Sequence, residues 1–475
     1  MKREGKLVKN TLILAIGTFL PKSTVFLTLP VLTGCLTKEE YGTYDLILIL
    51  VSFILPIATL QVQTAAFRFL IDVRDNIHEI KKIVTNIYAF IIATSVVVLS
   101  ILYFIIPIKQ SSIKLLLCAY LFVDVILNAS RQCTRGIGRN IDYTISSVIG
   151  AIGRVVFVFI FVLYLKGGLH GALCAVLTAC IFSLSVLMLK VKLFRYVNFK
   201  LISINKIKEL IGYSWAMVPN SLSMHAMHMS DRFVVTFFLG VASNAVYSVA
   251  TKIPSILTTA QATFSMAWHE NASIAAKDED VAHYYSSMFE TMFNLMAGAL
   301  GLLICITPVL FSVIIRGDYG EAYNQMPFMF LAMFFYSLCA FLGGIYIAYK
   351  DVKSVGMTTM MAAICNFVLD VAFIKWIGLY AASGSTFVSY VFLFIFRMLN
   401  VRKFVTLKYN FKHMGMVLGI LCLESLLFYL HQPVLNILNI VFGVVMFFLL
   451  NKKIVRAMWH KANKLLHRKK IEPAQ

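Results

Sequence analysis

Six basic side chains lie inside long apolar runs rather than at their borders: Lys22, Arg68, Arg154, Arg232, Lys252 and Arg397. An ionisable group deep in a membrane span costs roughly 2.5–3.5 kcal/mol on insertion scales, so such residues face a bundle interior or a water-filled space. Set against them are Asp124, Asp231 and Asp370. Arginine grips phosphate through paired hydrogen bonds and lysine attracts it as a point charge. A cavity with this cationic surplus suits an anionic guest: a phosphate or pyrophosphate on a lipid, an acidic sugar or a small organic anion.

Spacing groups several of these residues. Gln61, Thr64 and Arg68 recur at i, i+3 and i+7, one face of a helix. Asp124, Asn128, Arg131 and Arg135 recur at i, i+4, i+7 and i+11, where the two arginines read as markers of the cytoplasmic border. Arg154 sits near the centre of its run on a face with Ser147 and Gly150 and cannot be a border residue. Lys22 follows Pro21 in the first run, and its structural alternative is a pair with Asp45 or Asp124.

Farther along, Ser221, His225, His228 and Arg232 share a stripe within about 60° at 100° per residue, with Asp231 beside it. Lys252, Ser255 and Thr259 form another stripe. The histidines and Asp370 are candidates for proton coupling, with interhelical hydrogen bonding as the plainer role for the histidines. Asp231 points about 120° away from His225, so no metal site is expected. No cofactor motif is present either: there is no GxxxxGK[ST] phosphate loop. The nine cysteines show no ligand spacing and read as small core residues.

The elements that position these groups follow from composition. Of 475 residues, 60% are hydrophobic and 14% charged, against about 45–50% and about 25% in soluble domains. That composition belongs to an integral membrane protein and excludes a large aqueous catalytic domain. Spanning runs fall near 10–35, 43–71, 83–106, 113–134, 143–165 and 169–194, then near 211–239, 244–270, 285–315, 322–349, 353–375 and 379–401, and finally 411–431 and 434–451. The expected fold is all-α, with about 14 transmembrane helices.

Alternating sides hold 31 and 6 Lys plus Arg residues. This bias places both termini in the cytoplasm. The net charge of +21 therefore reflects orientation and attraction to anionic lipid headgroups, not nucleic-acid binding. The basic start, Lys2 to Lys9, reads as the flank of a first span rather than as a cleaved leader.

Leu36 to Tyr44 is echoed by Leu239 to Tyr247, a lag of 203 residues. With the polar linker near 195–210, this suggests two lobes, 1–209 and 210–409, followed by two further helices and a basic tail over 410–475.

Short motifs carry a family likeness. Lys9-Asn10-Thr11 leading to Pro21-Lys22, Leu36-Thr37-Lys38-Glu39-Glu40-Tyr41-Gly42, and Ala66-Phe67-Arg68-Phe69 resemble the Wzx-type polysaccharide flippases of bacteria. So do Pro219-Asn220-Ser221, Asp231-Arg232-Phe233, Leu239-Gly240 and Tyr247 to Ile253. The resemblance implies the fold of the multidrug/oligosaccharidyl-lipid/polysaccharide (MOP) superfamily, with two six-helix lobes about a central cavity and two extra helices. It also implies movement of undecaprenyl-pyrophosphate-linked oligosaccharide units to the outer leaflet, with Lys22, Arg68, Arg232 and Lys252 lining the cavity and a polysaccharide polymerase among the partners. Lysine at position 22 departs from the arginine of some relatives.

An ion-coupled multidrug exporter or a lipid II flippase of the same superfamily is the nearest alternative. A membrane polysaccharide polymerase is a more distant one, because every connection is about 16 residues or fewer. No enzymatic activity is expected.

Overall fold

The computed structural model describes residues 2–106, 108–430, 433–452 and 455–456; the side chains at 2–16, 18–19, 220, 223–224, 227–228, 263, 266, 352 and 433–435 are not among those described. All regular structure among these residues is helical. In chain order the helices are α1 (Lys2–Cys35), α2 (Lys38–Thr59), α3 (Val62–Asp72), α4 (Ile77–Ile105), α5 (Ser111–Gly136), α6 (Asn140–Val158), α7 (Gly168–Val191), α8 (Ile204–Ser214) and α9 (Val218–Leu239). They continue as α10 (Val241–Lys252), α11 (Ser255–Ala275), α12 (Val281–Ile314), α13 (Gly320–Ala348), α14 (Val352–Ile377), α15 (Leu379–Asn400), α16 (Phe411–Leu427) and α17 (Pro433–Leu450).

Ten helices among the described residues are long and apolar enough to cross a membrane. The other expected spans fall on α1, α9, the interrupted pair α10–α11, and α17.

Residue contacts divide the chain into two compact units. The first holds Met1–Ser248, Ile314–Tyr319 and Phe367–Leu379; the second holds Val249–Val313, Gly320–Asn366 and Tyr380–Gln475.

In the first unit α6 packs between α1 and α7, and α5 packs on α7, α3 and α4. Small side chains allow the close approach, as is usual where helices meet in lipid. A Cβ on Gly17 of α1 would stand 3.0 Å from Thr144 Oγ1 of α6, and one on Gly150 of α6 would stand 3.1 Å from Ser183 of α7. Ser146 and Ser183 hydroxyls bond across the same seam at 2.8 Å.

The Leu36–Gly42 motif is a helix start. Thr37 Oγ1 accepts the Glu40 amide at 3.2 Å while Glu40 Oε2 accepts the Thr37 amide at 3.0 Å, a capping box. Glu40 Oε1 also accepts the Leu169 amide at 3.2 Å, which ties the start of α2 to that of α7.

The run at 43–71 is not one helix, as its apolar pattern predicts, but two. Leu60 and Gln61 take the left-handed conformation, φ 45° and 58°, between α2 and α3. Backbone groups freed at membrane depth must find partners inside the protein, and here they do. Thr94 Oγ1 donates to the Ala58 carbonyl at 2.7 Å, the Gln61 amide donates to Thr59 Oγ1 at 3.2 Å, and the Thr64 amide reaches the Gln61 carbonyl at 2.8 Å. The run at 244–270 is likewise interrupted, at Ile253-Pro254.

The polar linker is partly helical. Asn86 of α4 holds it by accepting the Ser203 amide at 2.7 Å and donating to the Leu201 carbonyl at 2.9 Å, and α8 packs on α3 and α4.

Candidate functional site

A cavity of about 350 Å³ opens inside the first unit, walled by α1, α5, α6 and α7. Its charged lining is Lys22 from α1, Asp124 and Arg131 from α5, and Arg154 from α6. Each wall is positioned by a feature already given: α1 and α6 meet at Gly17 and Thr144, and α6 and α7 meet at Gly150 and Ser183.

Arg131 Nη2 donates to Ser183 Oγ at 3.0 Å, which fixes the guanidinium against the α6–α7 seam. Asp124 feels the charges of both Arg131 and Arg154, and Asn128, one turn on, donates to its backbone carbonyl at 2.9 Å. Three cations thus share one chamber with a single carboxylate. Such a chamber can hold a doubly charged anion and replace its water shell with guanidinium and ammonium hydrogen bonds.

The structure brings Lys22, Asp124 and Arg154 together from the sequence candidates, and adds Arg131, which the sequence pattern assigns to the cytoplasmic border. The signal was the Asp124-Asn128-Arg131 stripe itself.

The other candidates lie elsewhere. Arg68, on α3, is exposed and its Nη1 reaches both oxygens of Asp72 at 2.6 Å. Gln61 stands at the helix break, where its Nε2 donates to Ser221 Oγ at 3.0 Å and its Oε1 accepts the Thr64 hydroxyl at 2.8 Å. Its stripe with Arg68 is therefore divided between the break and α3.

Arg232 is buried beside Asp45, Nη1 to Oδ2 3.5 Å, and its guanidinium lies 4.8 Å from the centre of the Tyr247 ring. Tyr247 in turn donates its hydroxyl to Asp231 at 2.8 Å. Asp45 also accepts the Ser248 hydroxyl at 2.5 Å. This makes a compact ionic knot joining α2, α9 and α10, in which Asp45, offered by the sequence reading as a partner for Lys22, pairs with Arg232.

Lys252 ends α10 half-buried, with its carbonyl accepting the Ser255 hydroxyl at 2.6 Å. Asp370 of α14 is fully buried, and His225 of α9 is half-buried. The His228 side chain lies outside the described residues.

Two further buried ionisable side chains serve packing in the second unit. Arg397 of α15 donates to the carbonyls of Cys339 (2.8 Å) and Val355 (3.1 Å) and to the hydroxyls of Thr358 and Thr359 (both 3.0 Å), stitching α13, α14 and α15 together. Glu424 of α16, overlooked in the sequence although it sits inside an apolar run, has no exposed surface. A Cβ on Gly301 of α12 would stand 2.8 Å from its Oε2.

Solved structures share this fold. A lipid II flippase, MurJ, in an inward closed conformation superposes with a TM-score of 0.68 at 13% identity, over 94% of this chain and 99% of that one. An inward-facing MATE-family multidrug resistance transporter of the MOP superfamily gives 0.67 at 14% identity, over 83% and 98%. A MOP-superfamily transporter from Pyrococcus furiosus, described by the reversed polarity of its binding pocket, gives 0.57 at 15% identity, over 83% and 95%. The fold defined here is thus that of the MOP transporters. No curated protein sequence matches the chain.

Residues 7–269, more than half of the 475, match the family model described as polysaccharide biosynthesis protein. The chain belongs to that family.

Proposed function

We propose that the protein carries undecaprenyl-pyrophosphate-linked oligosaccharide repeat units from the cytoplasmic to the outer leaflet of a bacterial plasma membrane by alternating access. The observation that carries this reading is the chamber of about 350 Å³ in which Lys22, Arg131 and Arg154 face a single Asp124.

A diphosphate and its sugars cross bare hydrocarbon slowly because each unpaired polar group costs several kcal/mol there. The three cations take up the pyrophosphate, while Asp124 keeps the guanidinium groups oriented and their mutual repulsion low. The polyprenyl tail stays in lipid throughout. Both termini lie in the cytoplasm on this reading, and a polysaccharide polymerase that consumes the exported unit is the expected partner.

The test is deletion of the gene in its host with complementation by variants. Loss of surface polymer with retention of lipid-linked precursor in the inner leaflet is the expected result. Arg154→Ala, still inserted and abundant, lowers export about tenfold or more, since one charge-assisted hydrogen bond contributes about 1.5–3 kcal/mol. Persisting polymer and outward precursor without a redundant transporter overturn the assignment. Arrest of peptidoglycan precursor export in their place identifies lipid II, which carries the same polyprenyl pyrophosphate, as the cargo.

A further inference from the structure

The second unit contains another cavity, also of about 350 Å³, where α12 meets the end of α17. Glu290 and Asn294, one turn apart on α12, line one wall; Asn451, Lys452 and Arg456 line the other.

Asn451 is the informative member, being only 2% exposed. Its Nδ2 donates to the carbonyls of Asn294 at 3.2 Å and Phe447 at 3.0 Å. Gly298 makes room for it, since a Cβ there would stand 2.6 Å from that nitrogen. The amide is therefore held in one orientation. Its oxygen, however, has no hydrogen-bond partner among the described residues. That oxygen is sealed from the cavity, so Asn451 fixes the end of α17 against α12 and leaves ligand contacts to the charged lining.

Charge narrows the ligand further. The cavity offers one carboxylate, Glu290, and two cations, Lys452 and Arg456. Its depth fits a headgroup, because the apolar run of α17 ends at Leu450 and Lys452 follows at once. Basic pockets between helices at this level bind lipid phosphates.

We propose that this cavity binds the phosphoethanolamine headgroup of a membrane phospholipid, with the ammonium at Glu290 and the phosphate at Lys452 and Arg456. A glycerol headgroup lacks the cation, and a choline headgroup lacks N–H donors. The site thus separates three lipids that share a phosphodiester.

The experiment titrates the purified full chain in detergent with phosphatidylethanolamine, phosphatidylcholine and phosphatidylglycerol of identical acyl chains, reading bound lipid by native mass spectrometry. Phosphatidylethanolamine binds about tenfold tighter than either of the others. Glu290→Gln, at an exposed position that leaves packing intact, lowers its affinity about tenfold to the level of phosphatidylglycerol. Lys452→Gln with Arg456→Gln weakens all three. Equal affinities in the unaltered protein, or a preference untouched by Glu290→Gln, overturn the proposal.

Discussion

Replacing Arg232 with alanine leaves the Asp45 carboxylate buried without its guanidinium. The two side chains are 8% and 6% exposed and 3.5 Å apart. At an effective dielectric of about 20, unit charges at that distance attract by about 5 kcal/mol. Removing one partner of such a pair costs about 3–5 kcal/mol, because the other loses its compensation while remaining desolvated.

Asp45 keeps the Ser248 hydroxyl in the variant, so the lower end of that range, about 3 kcal/mol, is expected for Arg232→Ala. Asp45→Asn combined with Arg232→Gln removes both charges and recovers most of the loss. Equilibrium unfolding in denaturant-containing micelles, run on Asp45→Asn, Arg232→Gln and the double, yields a coupling energy of about 2 kcal/mol or more. Additivity within about 0.5 kcal/mol refutes the pairing. So does an Arg232→Ala protein as stable as the parent, and a stable variant that no longer exports would move Arg232 from the scaffold to the transport path.

Gly42→Ala drives a methyl into the Val241 carbonyl oxygen and disturbs the bond from Asn244 Nδ2 to the Gly42 carbonyl; a loss of about 1–3 kcal/mol follows, measured by thermal unfolding. Glu424→Met exchanges a fully buried carboxyl, with no hydrogen-bond partner by geometry among the described residues, for an apolar chain of similar length, so the melting temperature holds or rises, and a marked fall contradicts this. Asp351, in the loop before α14, is pushed down to about 2 by the Ser354 hydroxyl and then by Lys403, 2.9 Å away. Its depressed value means that its contribution is complete at neutral pH and disappears as the pH falls from about 4 to about 2; Asp351→Asn flattens the stability profile across that window.

The apolar runs made the helices legible, because length and hydropathy alone decide what can cross a bilayer. The break at Leu60-Gln61 was not, since neither residue is glycine or proline and the partners that make it tolerable, Thr94 above all, come from another helix. Lys22, Asp124 and Arg154 stood out because charge in a span is expensive. Arg131 stood out less, because a cation near a helix end has an ordinary explanation at the border.

Arg232 shows the converse: nothing in its own stripe announces Asp45, which arrives from far away in the chain. The echo at a lag of 203 residues has a physical counterpart at that place, where Asp45 bonds Ser248 and Gly42 abuts Val241. The two segments of the echo touch each other there, within the first unit.

Gly17 and Thr144, which close one wall of the chamber, are also far apart in synthesis. At about 5–20 residues per second the ribosome needs roughly 6–25 s to make the chain between them. For most of that interval the Lys22 ammonium enters the bilayer with neither Asp124 nor the α6 wall yet made. The nascent first helix must therefore wait at the translocon or the interface with its amine hydrated, and biogenesis, as much as transport, tolerates there a long flexible ammonium that can reach water more easily than a rigid guanidinium.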